Sequence, residues 1–256
     1  MKATILTIGN EILKGRTVNT NFSHIGHVLT FAGYEVFRGL VVRDDPSEIA
    51  WGITQATGFS DLVVTSGGLG PTYDDMSVKA IADALGIPLE TNADALRMIR
   101  EKYSAQNLEL TQERMKMAML PRNAEAIANP VGTAPGVFFN YRGVSILILP
   151  GVPSEMKAIL ESMIPRIRIP TVHYYEESVV LHGIMESAFA PVVADEMKKA
   201  GGSVYIKSHP SSAELSHPVL EIEVSGTAQD DATAVKVVRA TLESIKKRHQ
   251  EMLNKK

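Results

Sequence analysis

The chain has 256 residues, 45% of them apolar, and a formal net charge of −3; this is ample material for a core and excludes a disordered polymer. The slightly acidic balance argues against nucleic acid or an anionic membrane as partner, and the absence of cysteine excludes disulfides, thiolate metal sites and a cysteine nucleophile. The apolar run Ala3 to Ile8 is broken at once by Gly9-Asn10-Glu11, unlike a signal peptide, and no segment reaches the ~18 consecutive apolar residues of a membrane span. A soluble, cytoplasmic protein is expected.

The first part of the chain alternates strands and helices. Ala3 to Ile8 reads as a buried strand, Asn21 to Phe31 as a helix closed by Gly33, and Tyr34 to Val42 as a second strand. Asp45 followed by Pro46 is a helix start signal. Asp61 to Val64 reads as a third, buried strand, followed by a glycine-rich turn and a helix from Met76 to Leu85. Two more helices are expected over Asn92 to Tyr103 and Thr111 to Leu120. A strand pair, Gly136 to Tyr141 and Val144 to Leu149, turns at Arg142-Gly143 and leads to a helix from Val152 to Ile164. Strands separated by helices predict an α/β domain with a mostly parallel sheet covered on both faces. Ligands of such sheets sit beyond the C-terminal ends of the strands.

The stretch Pro165-Arg166-Ile167-Arg168-Ile169-Pro170 reads as a linker. Beyond it, strands at Glu177 to Leu181, Val204 to Ile206 and Val219 to Val224, with helices at Glu186 to Lys199 and Asp230 to Lys247, predict a second, smaller α+β domain. The division expected is 1–168 and 171–256. No Gly-x-x-Gly clamp between helices marks the smaller part as an RNA-binding KH module, since Gly201-Gly202 leads into a strand.

The segment with the clearest chemistry is Thr65-Ser66-Gly67-Gly68-Leu69-Gly70-Pro71-Thr72-Tyr73-Asp74-Asp75. Glycines between a strand and a helix let backbone N–H groups approach phosphate oxygens, and the helix N-terminus adds positive potential. Asp74 and Asp75 supply hard oxygens for a divalent cation. The same residues could instead cap the helix while the glycines make a tight turn. Two further polar segments fall at strand ends: Gly9-Asn10-Glu11-Ile12-Leu13-Lys14-Gly15-Arg16 with Asn19-Thr20-Asn21, and Pro150-Gly151-Val152-Pro153-Ser154-Glu155. The last offers a helix start near Ser154 where a phosphate or a simple serine cap would fit. Asn129-Pro130-Val131-Gly132-Thr133-Ala134-Pro135-Gly136 reads as a rigid loop, a pocket wall or a structural turn. His24 and His27 lie three apart on a helix without a third ligand in the sequence pattern.

Together these four segments, in this order over residues 1 to about 168, resemble the CinA family within the wider MoaB/Mog-like molybdopterin-binding fold. The resemblance rests on Gly9-Asn10-Glu11-Ile12-Leu13-x-Gly15 with Asn19-Thr20-Asn21, on Ser66-Gly67-Gly68-Leu69-Gly70-Pro71-Thr72-x-Asp74-Asp75, on Asn129-Pro130-x-Gly132-x-Ala134-Pro135-Gly136, and on Leu149-Pro150-Gly151-Val152-Pro153-Ser154-Glu155-Met156. It implies a three-layer α/β/α domain followed by a small KH-like domain. It also implies cleavage of ADP-ribose, with FAD as a related substrate, to AMP and a second phosphate product. A divalent cation (cobalt, magnesium or manganese) with potassium as a stimulant is expected, as is a homo-oligomer. Longer family members carry a nicotinamide-nucleotide deamidase domain; this chain ends before one would fit, so that activity is expected to be absent.

Under that resemblance Asp74 and Asp75 bind metal, and Glu11 serves as a second ligand or as the base that orients water. Gly67, Gly68, Gly70 and Thr72 cradle one phosphate, Gly151 and Ser154 hold the other, and Lys14 stabilises charge on the bridging oxygen. Two other readings stand beside this one. The same loop could hold molybdopterin or a nucleotide for adenylylation, or the protein could be a non-catalytic nucleotide sensor or scaffold.

Overall fold

The computed structural model describes residues 1–73, 75–210 and 218–254. The chain divides into two compact units, one of residues 1–30 with 34–168, the other of residues 31–33 with 169–256.

The first unit begins with β1 (Lys2–Ile8), the short α1 (Asn10–Leu13), α2 (Thr20–Phe31), β2 (Glu35–Val42), α3 (Pro46–Thr57), β3 (Leu62–Ser66) and α4 (Ser77–Leu85). It continues through β4 (Leu89–Thr91), α5 (Ala93–Ser104), α6 (Gln112–Lys116), β5 (Met119–Pro121), β6 (Glu125–Ile127), β7 (Gly136–Tyr141), β8 (Val144–Leu149) and α7 (Pro153–Ile167). A sheet in the order β2-β1-β3-β8-β7-β6 runs parallel from β2 to β8, and β7 and β6 join it antiparallel.

Neighbouring residues of β1 show how the sheet is covered on both sides. Side chains alternate along a strand, so Ile5 and Leu6 point to opposite faces, and both are fully buried. Leu6 is met by α3, where a Cβ on Gly52 would lie 2.9 Å from Leu6 Cδ1; Ile5 is met by α2 at Gly26, whose Cβ would lie 3.7 Å from Ile5 Cδ1. The α3 face carries a core of Leu6, Ile49, Ile53, Val63, Ile81, Ile99, Val137 and Ile148. On the other face α7 lies against β8, burying Met156, Ile159 and Leu160. The expected α/β class with a mostly parallel sheet is what the structure shows.

Several local signals act as the sequence predicts. Asp45 accepts from the backbone N–H groups of Ser47 (2.9 Å) and Glu48 (3.2 Å), with Pro46 in the first turn of α3. The helix expected over Thr111 to Leu120 is shorter: α6 stops at Lys116, and Met119 to Pro121 instead pair antiparallel with Leu89 to Thr91. Tertiary pairing with a neighbouring segment overrides the helical pattern there. Pro165, expected in a linker, lies inside α7, which runs on to Ile167.

The second unit comprises β9 (His173–His182), α8 (Glu186–Lys199), β10 (Val204–Pro210), β11 (Val219–Ala228) and α9 (Asp231–Leu253), with an antiparallel sheet in the order β10-β11-β9. Its core gathers Leu181, Phe189, Ile206, Ile222, Val224, Val238, Leu242 and Ile245. Glu196 is buried on α8, where Lys199 Nζ (3.1 Å) and Arg248 Nη1 (3.2 Å) pair with its carboxylate. Among the described residues no helix is long and apolar enough to cross a membrane.

Candidate functional site

Three chain segments meet at the C-terminal ends of β1 and β3, the position where parallel sheets bind ligands. The first leaves β1 at Ile8. Gly9 N–H donates to the Val42 carbonyl at 3.1 Å, and Asn10 N–H donates to Asp44 Oδ2 at 2.7 Å, so the end of β2 is stitched to the start of α1. The Glu11 carboxylate folds back over Gly9: a Cβ there would lie 2.6 Å from Glu11 Oε1.

The start of α2 adds two asparagines with different tasks. Asn19 caps the helix, its Oδ1 accepting from Phe22 N–H at 3.1 Å while its Nδ2 donates to Thr7 Oγ1 at 3.1 Å. Asn21 reaches across the sheet ends instead, with Nδ2 donating to Ser66 Oγ at 2.9 Å and to the Gly151 carbonyl at 2.8 Å. Because a carbonyl can only accept, the Gly151 contact fixes the orientation of the amide. Asn21 Oδ1 is then an acceptor, buried and without a partner among the described residues.

The glycine-rich loop is the third segment. Gly67 and Gly68 have φ of 114° and 66°, the left-handed region that favours glycine. Their carbonyls are held by one residue: Ser77 Oγ donates to Gly67 O at 2.8 Å and Ser77 N–H to Gly68 O at 3.1 Å. Asp75 does not cap α4, whose N-cap is Met76 with no side-chain cap bond. Its Oδ2 accepts from Thr72 N–H (2.9 Å) and Thr72 Oγ1 (2.5 Å), which closes the loop on itself. Lys116 braces the outside, donating to the carbonyls of Asp75 (2.7 Å) and Thr72 (3.3 Å).

These segments enclose a cavity of about 280 Å³. Its wall holds Glu11, Asp44 and Asp75, together with Thr7, Asn19, Asn21, Gly67, Gly68, Thr72 and Gly151. The starts of α2 (Thr20) and α7 (Pro153) border it, so two helix N-termini offer positive potential opposite three carboxylates. Such a wall suits a ligand that carries phosphate oxygens and polar hydroxyls.

Of the residues singled out in the sequence, Glu11, Gly67, Gly68, Thr72, Asp75 and Gly151 line this cavity. Gly70 is set back from it, with Asp75 Oδ2 2.5 Å from where its Cβ would stand. Lys14, the exposed C-cap of α1, and Ser154, exposed in the first turn of α7, are outside the lining. Asp74 lies outside the described residues. Asp44, which no sequence motif singles out, lines the cavity as well; it stands two residues beyond the end of β2, and its signal is that place beside β1 in the sheet. The Asn129 loop is a structural turn: Asn129 bonds Ala134 O, Glu155 Oε2 and the N–H groups of Val131 and Gly132.

Comparison with known proteins agrees with this architecture. Residues 4–169 match the family described as "Probable molybdopterin binding domain". A protein of Caldivirga maquilingensis is 54% identical over 231 residues, covering 90% of each chain. Protein TV0584 of Thermoplasma volcanium is 48% identical over 254 residues, covering 99% of this chain and 98% of its own. The crystal structure of the protein CinA with unknown function from Thermoplasma acidophilum is 52% identical; it matches 65% of this chain and 97% of that one with a TM-score of 0.62. A six-stranded α/β unit with its polar cavity at the strand ends, matched over residues 4–169, therefore belongs to the family of the probable molybdopterin binding domain, as a member similar to CinA.

Proposed function

We propose that the cavity is the site of a dinucleotide pyrophosphatase that cleaves ADP-ribose, and FAD as a second substrate, to AMP and the other phosphate product. The observation that supports this most is the placing of Glu11, Asp44 and Asp75 around the Gly67-Gly68 turn and beside two helix starts. Hydrolysis of a phosphoric anhydride needs its negative charge offset and one water oriented in line with the bridging oxygen.

The donor set fits an oxygen-seeking divalent cation. Among the described residues no group of three or more His, Cys, Asp or Glu is placed to hold a cation by itself. Asp75 and Asp44 would therefore share it with substrate phosphate oxygens and water, a common arrangement for magnesium and its substitutes manganese and cobalt. Such a cation, with Asp74 as a further ligand and potassium as an accessory ion, supplies charge neutralisation for the reaction.

The chain's own residues do the rest. The Gly67-Gly68 turn and the start of α2 position one phosphate, and Gly151 at the start of α7 borders the other. Glu11 accepts a proton from the attacking water as the new P–O bond forms and the bridging P–O bond breaks; the leaving phosphate takes up the displaced electron pair. Lys14, the exposed C-cap of α1 outside the cavity lining, would have to swing inward to meet the charge that develops on that oxygen. Asn21 Oδ1 accepts from a ligand hydroxyl, which relieves its buried isolation.

A second reading has its own support. The family description names molybdopterin binding, and the same cavity suits the phosphate of a pterin without hydrolysis. The deciding experiment is release of AMP from ADP-ribose by the purified protein with magnesium, manganese or cobalt, with FAD alongside and Asp74→Asn and Asp75→Asn as blanks. Metal-dependent AMP that disappears in the variants supports the pyrophosphatase. No AMP from either substrate with any of these metals overturns it in favour of pterin binding.

A further inference from the structure

A second cavity, of about 310 Å³, lies on the other side of the glycine-rich loop. Gly68 and Asp75 belong to the walls of both cavities, so the two adjoin at the loop that carries them. Their chemistry differs sharply. The second cavity is lined chiefly by apolar atoms of Leu69, Val78, Leu89, Met117 and Met119.

The short β4–β5 ribbon explains this lining. In its antiparallel register Thr91 faces Met119 and Leu89 faces Pro121, so Leu89 and Met119 share one face. Both lysines of the wall have their charges occupied elsewhere. Lys79 Nζ pairs with Asp83 at 2.5 Å, and Lys116 Nζ donates to the carbonyls of Thr72 and Asp75, leaving their aliphatic stems toward the cavity. Methionine sulfur packs favourably against aromatic rings, and the volume is at the lower end of small-molecule sites.

We propose that this second cavity is the ring subsite of the same ligand: it takes a flat fused-ring heterocycle whose phosphorylated tail lies in the polar cavity. The inference rests on the reading of the polar cavity as a phosphate site, and it assigns the heterocycle to the side of α4 and the β4–β5 ribbon. An adenine nucleotide and a pterin phosphate share this chemistry, so the test includes both.

The experiment is calorimetric titration of the full chain with AMP, with neopterin monophosphate, and with ribose 5-phosphate as the probe lacking a ring. Leu89→Trp, which fills the cavity, and Met119→Glu, which places a charge in it, are compared with the parent after a thermal melt verifies folding. A ring-bearing ligand should bind the parent at least tenfold more tightly than ribose 5-phosphate, and whichever variant folds should lose that tenfold while keeping the ribose 5-phosphate affinity. Tight binding of the pterin alone keeps the ring subsite and removes the nucleotide reading. Unchanged affinity of the ring-bearing ligand in the folded variants overturns the subsite only. Failure of all three ligands to bind the parent overturns both the subsite and the phosphate reading beneath it.

Discussion

A methyl group built on Gly67 would lie 2.0 Å from the carbonyl oxygen of Ile8. The end of β3 and the end of β1 are thus in direct backbone contact at the point where both strands open into the cavity. Gly67→Ala must move one of the two backbones and also adopt a φ of 114°. The expected cost is about 2–4 kcal/mol of stability, with loss of ligand binding. Chemical denaturation and titration with ADP-ribose check this, and a variant with the parent's midpoint and affinity would show that the turn is free to relax.

Asn21→Asp keeps the shape of the side chain and replaces the donor that Gly151 needs. A carboxylate oxygen would then face the Gly151 carbonyl at the position where Nδ2 now stands 2.8 Å away. Destabilisation of about 1 kcal/mol is expected, because a partly buried carbonyl loses its donor and meets a carboxylate oxygen instead. Thermal unfolding at neutral pH measures it; no change in melting temperature would mean that the tie to Gly151 is dispensable.

Lys116→Met removes the outer brace of the loop and leaves the lining of the polar cavity in place. Lys116 is exposed, so the melting temperature should stay close to that of the parent. The carbonyls of Thr72 and Asp75 lose their cation, and the loop gains freedom. A severalfold rise in KM with a smaller change in kcat is expected in the AMP-release assay; equal kinetics would remove Lys116 from the positioning of the loop.

In the second unit, acid should act through Glu196. Burial alone would raise its pKa, but hydrogen bonds from Lys199, Ser244 and Arg248 outweigh burial and hold it below the ordinary value of 4.5. A carboxylate depressed on folding stabilises the fold above its unfolded pKa, and that contribution is lost as pH falls through the folded value. The unit should therefore lose stability as pH drops below about 4.5, where the unfolded chain starts to bind the proton first. Glu196→Gln should be less stable at neutral pH and should show a flatter dependence in melts between pH 7 and 3. An unaltered acid slope in the variant would assign the effect to other carboxylates.

The parts of the site that could be read from the sequence are those written in contiguous residues. Gly67-Gly68 directly follows a buried apolar strand, and only glycine tolerates the backbone found there. Asp45-Pro46 marks a helix start in the same local way. Asp44, one residue earlier, has no such mark. It borders the cavity because β2 lies parallel to β1 with Val42 beside Ile8, a register set by packing across the sheet. Met119 shows the opposite failure. Its helical neighbours are a local fact, but its pairing with Thr91 is a distant one, and the distant one decides its conformation.

The bond between Asn21 and Gly151 joins positions 130 residues apart, and the same asparagine is tied to Ser66. The cavity therefore has no existence apart from the folded first unit, since no single stretch of chain can form its walls. By mass action, whatever binds there draws the equilibrium away from the unfolded chain; a ligand at a hundred times its Kd adds about 2.7 kcal/mol to the unfolding free energy. A rise in melting temperature across a panel of phosphorylated compounds thus reports occupancy directly, whether or not any of them is turned over. Slowed amide exchange along β1 and β3 should accompany that rise, because opening either strand dismantles the wall.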